Sequence, residues 1–146
     1  MLKIDPEISV VICHHRGDFI FPCVKSIQAS REVSYEIIVV TSDPKLALNG
    51  INGCRMVHSE GLPANKRNLG SDMARGSFLA FFDDDVEIDE NCLRELRNSL
   101  NDYRIMSYGK LWNMEHRKRF DEAGGYMTST GFIWFNWSDQ PLTKLP

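Results

Sequence analysis

Apolar residues fall into continuous and helically spaced runs along this chain. Ile8-Ser9-Val10-Val11-Ile12-Cys13, Glu36-Ile37-Ile38-Val39-Val40 and Ser77-Phe78-Leu79-Ala80-Phe81-Phe82 do not alternate with polar residues. Such runs predict strands covered on both faces, as in a parallel sheet. After the first strand, Ile20, Val24 and Ile27 lie near helical spacing and predict a helix from Phe19 to about Ala29, with Asp18 as its cap and Pro22 in its first turn. Thr41-Ser42-Asp43-Pro44 closes the second strand as a turn. Strand, helix and strand in that order predict a right-handed βαβ unit.

Cys54 to His58 is a shorter third strand between Gly53 and Gly61. Pro63 opens a helix to about Arg75, ended by Gly76. Leu69 and Met73 are expected on its apolar side, with Arg67, Ser71 and Ala74 roughly opposite. Asp89 is placed to cap a further helix carrying Leu93, Leu96 and Leu100. Beyond residue 102 the texture changes: Tyr103 to Trp112 and Tyr126 to Trp137 read as aromatic strands separated by Asn113 to Lys118 and a Gly124-Gly125 turn. Residues 1–102 thus form a βαβ region, and residues 103–146 begin a second region of the same domain. The fold class is α/β, a mostly parallel sheet with helices on both faces.

Composition narrows the possibilities. With 146 residues there is room for one domain, and a net charge of -3 implies no surface for nucleic acid. Cys13, Cys23, Cys54 and Cys92 lack metal or disulfide spacing, and Cys13 and Cys23 stand in apolar contexts where a thiol packs as a small hydrophobe. No apolar run approaches the roughly 18 residues of a membrane span. These features predict a cytoplasmic chain, docking at a membrane face at most peripherally.

The candidate chemistry lies where the third continuous run meets Asp83-Asp84-Asp85. An acidic block is more often a solvated loop. Here it follows an apolar strand in a βαβ setting, and in open α/β sheets ligands bind beyond the carboxyl ends of the strands. Adjacent carboxylates repel, so a cation would relieve them. If strand geometry continues, Asp83 and Asp85 share one side and Asp84 points away. An Asp-x-Asp pair suits a hard divalent ion, Mn2+ or Mg2+, that shares its remaining positions with phosphate.

Three segments, ISVVICHHRGDFIFPCVKSI, GLPANKRNLGSDMARGSFLAFFDDDVEID and GKLWNMEHRKRFDEAGGY, carry a resemblance to the N-terminal, donor-binding part of family 2 inverting glycosyltransferases of GT-A fold. The order Arg-Asn-x-Gly, Gly turn, apolar strand and Asp-x-Asp is the most specific feature. The resemblance implies a Rossmann-like α/β/α sandwich whose C-terminal part is truncated. It also implies sugar transfer with inversion from a nucleotide-diphosphosugar of UDP, GDP or dTDP type to a saccharide or lipid-linked acceptor. It places Asp83 at the ribose or the nucleotide, Asp85 on the metal, Asp84 between them, and Arg67, Asn68 and Lys66 near the nucleotide or diphosphate.

The first-strand loop, Cys13-His14-His15-Arg16, and the second-strand end, Thr41-Ser42-Asp43, depart from the family pattern. His14, His15 and Asp43 are base-contact candidates by location. Inverting transfer needs a general base, yet no matching acidic motif follows residue 126. Asp121 and Glu122 are expected in a turn. An alternative is therefore a noncatalytic nucleotide-sugar-binding or interaction module. A nucleotidyltransferase would want a glycine-rich loop after the first strand, and a dinucleotide oxidoreductase a G-x-G-x-x-G. Neither is present. A strand left uncovered at residues 126–137 predicts a homo-oligomer paired through that edge.

Overall fold

The computed structural model describes residues 5–15, 17–101, 106–107, 109–112, 120–122, 125–127 and 133–135. They form two compact units, residues 1–97 and 98–146.

The first unit is built on four parallel strands in the order β3-β2-β1-β4: β1 (Ile8–His14), β2 (Tyr35–Thr41), β3 (Cys54–His58) and β4 (Phe78–Asp83). Between them run α1 (Ile20–Gln28), α2 (Pro44–Asn49) and α3 (Pro63–Asp72), and α4 (Cys92–Asn98) follows β4. The continuous apolar runs have the predicted consequence at the centre of the sheet. Val10, Val11 and Ile12 of β1 and Ile38, Val39 and Val40 of β2 are all buried, so both faces are covered. One face packs Ile8, Val10, Ile12, Ile37 and Val39 against Ile20, Cys23, Val24 and Ile27 of α1 and Leu93 of α4. Each fully buried aliphatic side chain there contributes about 1.5–3 kcal/mol.

The other face carries α3, whose inward side differs from the pattern expected. Leu69 and Met73 are only half-buried, and the buried residues of α3 are Lys66 and Gly70. The reason is close approach to β1: a Cβ at Gly70 would overlap Val11 Cγ1. A helix that near the sheet has no room for a large side chain at its point of contact.

Three further expectations are corrected. Among the described residues β4 is an edge strand, and while Phe78, Ala80 and Phe82 pack on the core, Leu79 and Phe81 are 46% and 45% exposed, because α3 covers β1 and β2. Asp18 does not cap α1 with its side chain. Phe19 is the N-cap residue, and Asp18 supplies its backbone carbonyl to Phe21 N at 3.2 Å. Asp43, read as part of a turn, instead caps a helix, α2, accepting from Lys45 N at 2.8 Å and Leu46 N at 3.3 Å. Asp89, expected to cap the next helix, lies three residues before α4 begins, and its Oδ1 accepts from Asn91 N at 2.9 Å in the turn that leads into it.

In the second unit β5 (Leu111–Trp112) pairs antiparallel with β6 (Phe120–Glu122), and β7 (Gly125–Met127) with β8 (Ile133–Phe135). Asp121 and Glu122 therefore belong to a strand, not a turn: Glu122 pairs with Leu111 and Phe120 with Trp112, and Asp121 sits at the register shift between them. The expected interface at residues 126–137 lies largely outside the described residues. Among the described residues no helix is long and apolar enough to cross a membrane.

Candidate active site

Parallel pairing brings the carboxyl ends of all four strands to one pole. The register sets His14 beside Thr41 and Cys13 beside Asp83. Because α3 begins after β3, its first turns start at the same pole. The result is a cleft of about 480 Å³ lined by Cys13, His14, His15, Pro63, Lys66, Arg67, Asp83, Asp84 and Asp85. Seven of these were singled out in the sequence. Asn68 is exposed and outside the lining, and the Asp43 carboxylate is engaged in capping α2. Cys13 was expected to pack as a small hydrophobe, but it is half-buried and faces the cleft, its Sγ 3.7 Å from Pro63 O.

His14 is fully buried and held from both ring nitrogens. Nε2 lies 3.2 Å from Gly17 O, which can only accept, so this nitrogen carries a proton. Nδ1 lies 2.8 Å from Thr41 Oγ1, whose oxygen also accepts from Asp43 N at 2.9 Å. Gly17 makes the turn that supplies its carbonyl, with a φ of 103° that favours glycine. His15 Nδ1 is 2.8 Å from Ser42 Oγ. Thr41 and Ser42, which sequence reasoning passed over as turn formers, thus fix the two histidines. Their position at the carboxyl end of an apolar strand was the available signal.

Strand geometry ends at Asp83, and Asp84 and Asp85 form a turn. Asp84 consequently does not point away. It lines the cleft, with Oδ2 3.8 Å from His14 Nε2. Asp83 is engaged by Arg67, Nη2 to Oδ1 at 2.8 Å, and Asp85 is exposed without an ion pair among the described residues. From beneath, Cys23 Sγ approaches Asp83 O at 3.6 Å. Burial and then the Asp84 and Asp85 charges push the Cys23 thiol up to about 12. The Cys13 thiol is also raised, chiefly by burial, with Arg67 and Lys66 opposing Asp83 and Asp84.

Carboxylate oxygens suit Mn2+ or Mg2+. Among the described residues no group of three or more His, Cys, Asp or Glu side chains is arranged to hold an ion by itself, and one Asp83 oxygen is already taken by Arg67. The residues fit a cation that takes one or two protein oxygens and fills its shell with phosphate and water, the usual habit of Mg2+.

Comparison with known proteins gives the context of this cleft. No curated protein matches the chain in sequence. Among solved structures, S. aureus TarS residues 1–349 is similar at a TM-score of 0.54 and 20% identity, over 63% of this chain and 31% of that one. The longer S. aureus TarS structure matches at 0.54 and 20%, over 63% and 19%. The 1–349 form in complex with UDP-GlcNAc matches at 0.52 and 21%, over 63% and 30%. The chain therefore spans less than a third of the length of these structures, and the likeness shows the fold, an α/β arrangement of GT-A type. The model of glycosyl transferase family 2 matches residues 9–123. That match covers well over half of the sequence, and this chain belongs to glycosyl transferase family 2.

Proposed function

We propose that the chain binds the donor of a glycosyltransferase, a nucleotide-diphosphosugar, in the cleft at the carboxyl ends of β1 and β4, for transfer of the sugar with inversion to a saccharide or lipid-linked acceptor hydroxyl. The observation that carries this reading is the facing of two cationic side chains, Lys66 and Arg67, and three carboxylates, Asp83, Asp84 and Asp85, across one cleft. A diphosphate with a divalent cation is complementary to both groups at once. The S. aureus TarS complex with UDP-GlcNAc makes UDP the first nucleotide to test.

In this reading Asp85 and Asp83 hold Mn2+ or Mg2+, and when bound the cation offsets negative charge building on the leaving diphosphate. Lys66 and Arg67 hold the phosphate oxygens by charge-assisted hydrogen bonds. Asp83, 62% exposed and bonded to Arg67 through one oxygen, keeps its other oxygen for the ribose or the cation in this reading. Ser42 orients His15, and Thr41 and Gly17 orient His14, so the edge that meets the base is preformed rather than assembled on binding.

The test is calorimetry with UDP, GDP and dTDP, each with Mn2+, Mg2+ or EDTA, on the wild type and on Asp85→Ala. The expected result is binding of one nucleotide, UDP, that EDTA weakens and the substitution makes insensitive to metal. Absence of binding to all three would refute the donor site and favour an interaction module that retains the fold.

A further inference from the structure

Beyond Asp83 the chain leaves the ladder with β1, and its backbone polar groups need other partners. Helix α1 and the loop after it supply them in order. Cys23 Sγ lies 3.6 Å from Asp83 O, Ser26 Oγ accepts from Ile88 N at 3.0 Å, and Arg31 N donates to Glu90 O at 2.9 Å. The segment from the acidic turn to Glu90 thus follows α1, on the sheet face opposite α3.

Both α1 side chains are fixed in their roles. The Ser26 hydroxyl donates to Cys23 O at 2.7 Å, so its oxygen is left to accept from Ile88 N. Cys23 is 1% exposed, and a thiol raised as far as this one keeps its proton at neutral pH and can donate it to the Asp83 carbonyl. Burial and the charges of Asp84 and Asp85 cause that rise, while a hydrogen bond from the Val86 backbone N–H works against it. The sulfur therefore meets the backbone at both ends of the turn, Asp83 and Val86.

We propose that Cys23 and Ser26 are positioning residues, which hold the backbone from Asp83 to Ile88 from behind and so aim the Asp83 and Asp85 carboxylates at the cation. Neither lines the cleft, so neither touches the ligand. Groups behind a metal's ligands set the ligands' orientation, and their loss typically costs about ten- to a hundredfold in metal affinity. This deepens the donor-site reading and rests on it.

The test is calorimetry of UDP with Mn2+ and with EDTA on the wild type, Ser26→Ala, Ser26→Thr and Cys23→Ala. The quantity read is the ratio of the two affinities, the gain that Mn2+ gives. A substitution that merely loosens the fold lowers both affinities together and leaves this ratio unchanged. Alanine is also the better helix former, which favours folding of Ser26→Ala. The expected result is that the Mn2+ gain falls about ten- to a hundredfold in Ser26→Ala and Cys23→Ala, with the affinity in EDTA kept. Ser26→Thr should restore it, since a helical threonine can make the same bond back to the carbonyl three residues earlier. An unchanged ratio in both alanine variants makes the two residues ordinary packing and overturns the proposal. A Ser26→Thr chain as weak as Ser26→Ala overturns it too, because the hydroxyl would then not be the cause. If the wild type binds UDP with no gain from Mn2+, the proposal fails while the donor site stands. If it binds UDP under neither condition, both fail.

Discussion

Arg67 Nη2 stands 2.8 Å from Asp83 Oδ1, so the second cation of α3 and the carboxylate that ends β4 hold one another across the cleft. Their side chains are 40% and 62% exposed, and such a pair contributes less than about 1 kcal/mol to folding. Arg67→Ala is therefore expected to leave the melting temperature nearly unchanged. In the donor-site reading it should weaken UDP binding by about tenfold, the value of one charge-assisted contact. Calorimetry beside a melting curve separates the two effects, and a large fall in melting temperature would show that the pair is structural.

Gly70 supports a second prediction. In an open helix position Gly→Ala would stabilise by about 1 kcal/mol. Here the added methyl meets Val11, so α3 must lift from β1. Gly70→Ala is expected to destabilise by about 1–3 kcal/mol, the usual cost of overpacking. Lys66 and Arg67 ride on the same helix, so UDP affinity should fall as well. Urea titration of both proteins measures the first effect, and a more stable variant would contradict the packing described.

The pair at the far end of the sheet predicts an acid response. Burial alone would push the Glu36 carboxyl up, but hydrogen bonds from Arg75 and Ser9 outweigh it and leave it below its ordinary value of 4.5. Arg75 meets Glu36 Oε2 through Nε at 3.1 Å and Nη2 at 2.8 Å, and Ser9 Oγ donates to Oε1 at 2.8 Å. A lowered folded value means that the stabilisation is complete above the unfolded value and is lost as pH falls through the folded one. Glu36→Gln should thus cost stability near neutral pH and flatten the dependence of stability on pH below about 4.5. Denaturation midpoints from pH 3 to 7, a range of about four units spanning the carboxylate titration, report this. Parallel wild-type and variant curves would contradict it.

Thiol chemistry offers a local probe of the cleft. Burial pushes Cys54 up to about 11 and Cys23 up to about 12, and thiols so raised are nearly all protonated at neutral pH. Cys13 is raised as well, yet it borders the cleft. Slow alkylation of Cys13 is expected, slowed further by UDP with Mg2+, with Cys23 and Cys54 slower still. Peptide mass analysis distinguishes the sites. Equal labelling of Cys13 with and without nucleotide would place the ligand elsewhere.

The sheet was legible in the sequence because a strand buried on both faces must be apolar throughout, and β1 and β2 are so over most of their length. The same rule misled at β4: its run is as apolar, but as an edge strand it leaves Leu79 and Phe81 open on one face. Hydrophobic periodicity also failed for α3, since the positions nearest β1 need no bulk and take Gly70 and the stem of Lys66. The six residues of α2 were hidden because the residues that cap and open a helix, Asp43 and Pro44, are also those that make turns. Of the candidate site, the carboxylates and cations were visible by chemistry and order. The part played by Thr41 and Ser42 was not, because it arises from the β1–β2 register rather than from neighbours in sequence.

In the donor-site reading a nucleoside diphosphate sits at the carboxyl ends of β1 and β4. Backbone amide NMR of the labelled chain, titrated with UDP in the presence of Mg2+, tests it most directly. Shifts are expected to cluster at His14, His15, Lys66, Arg67 and Asp83 to Asp85, with Glu36, Arg75 and Gly76 at the opposite end of the strands unmoved. Shifts concentrated at that opposite end, or none at saturating UDP, would contradict it.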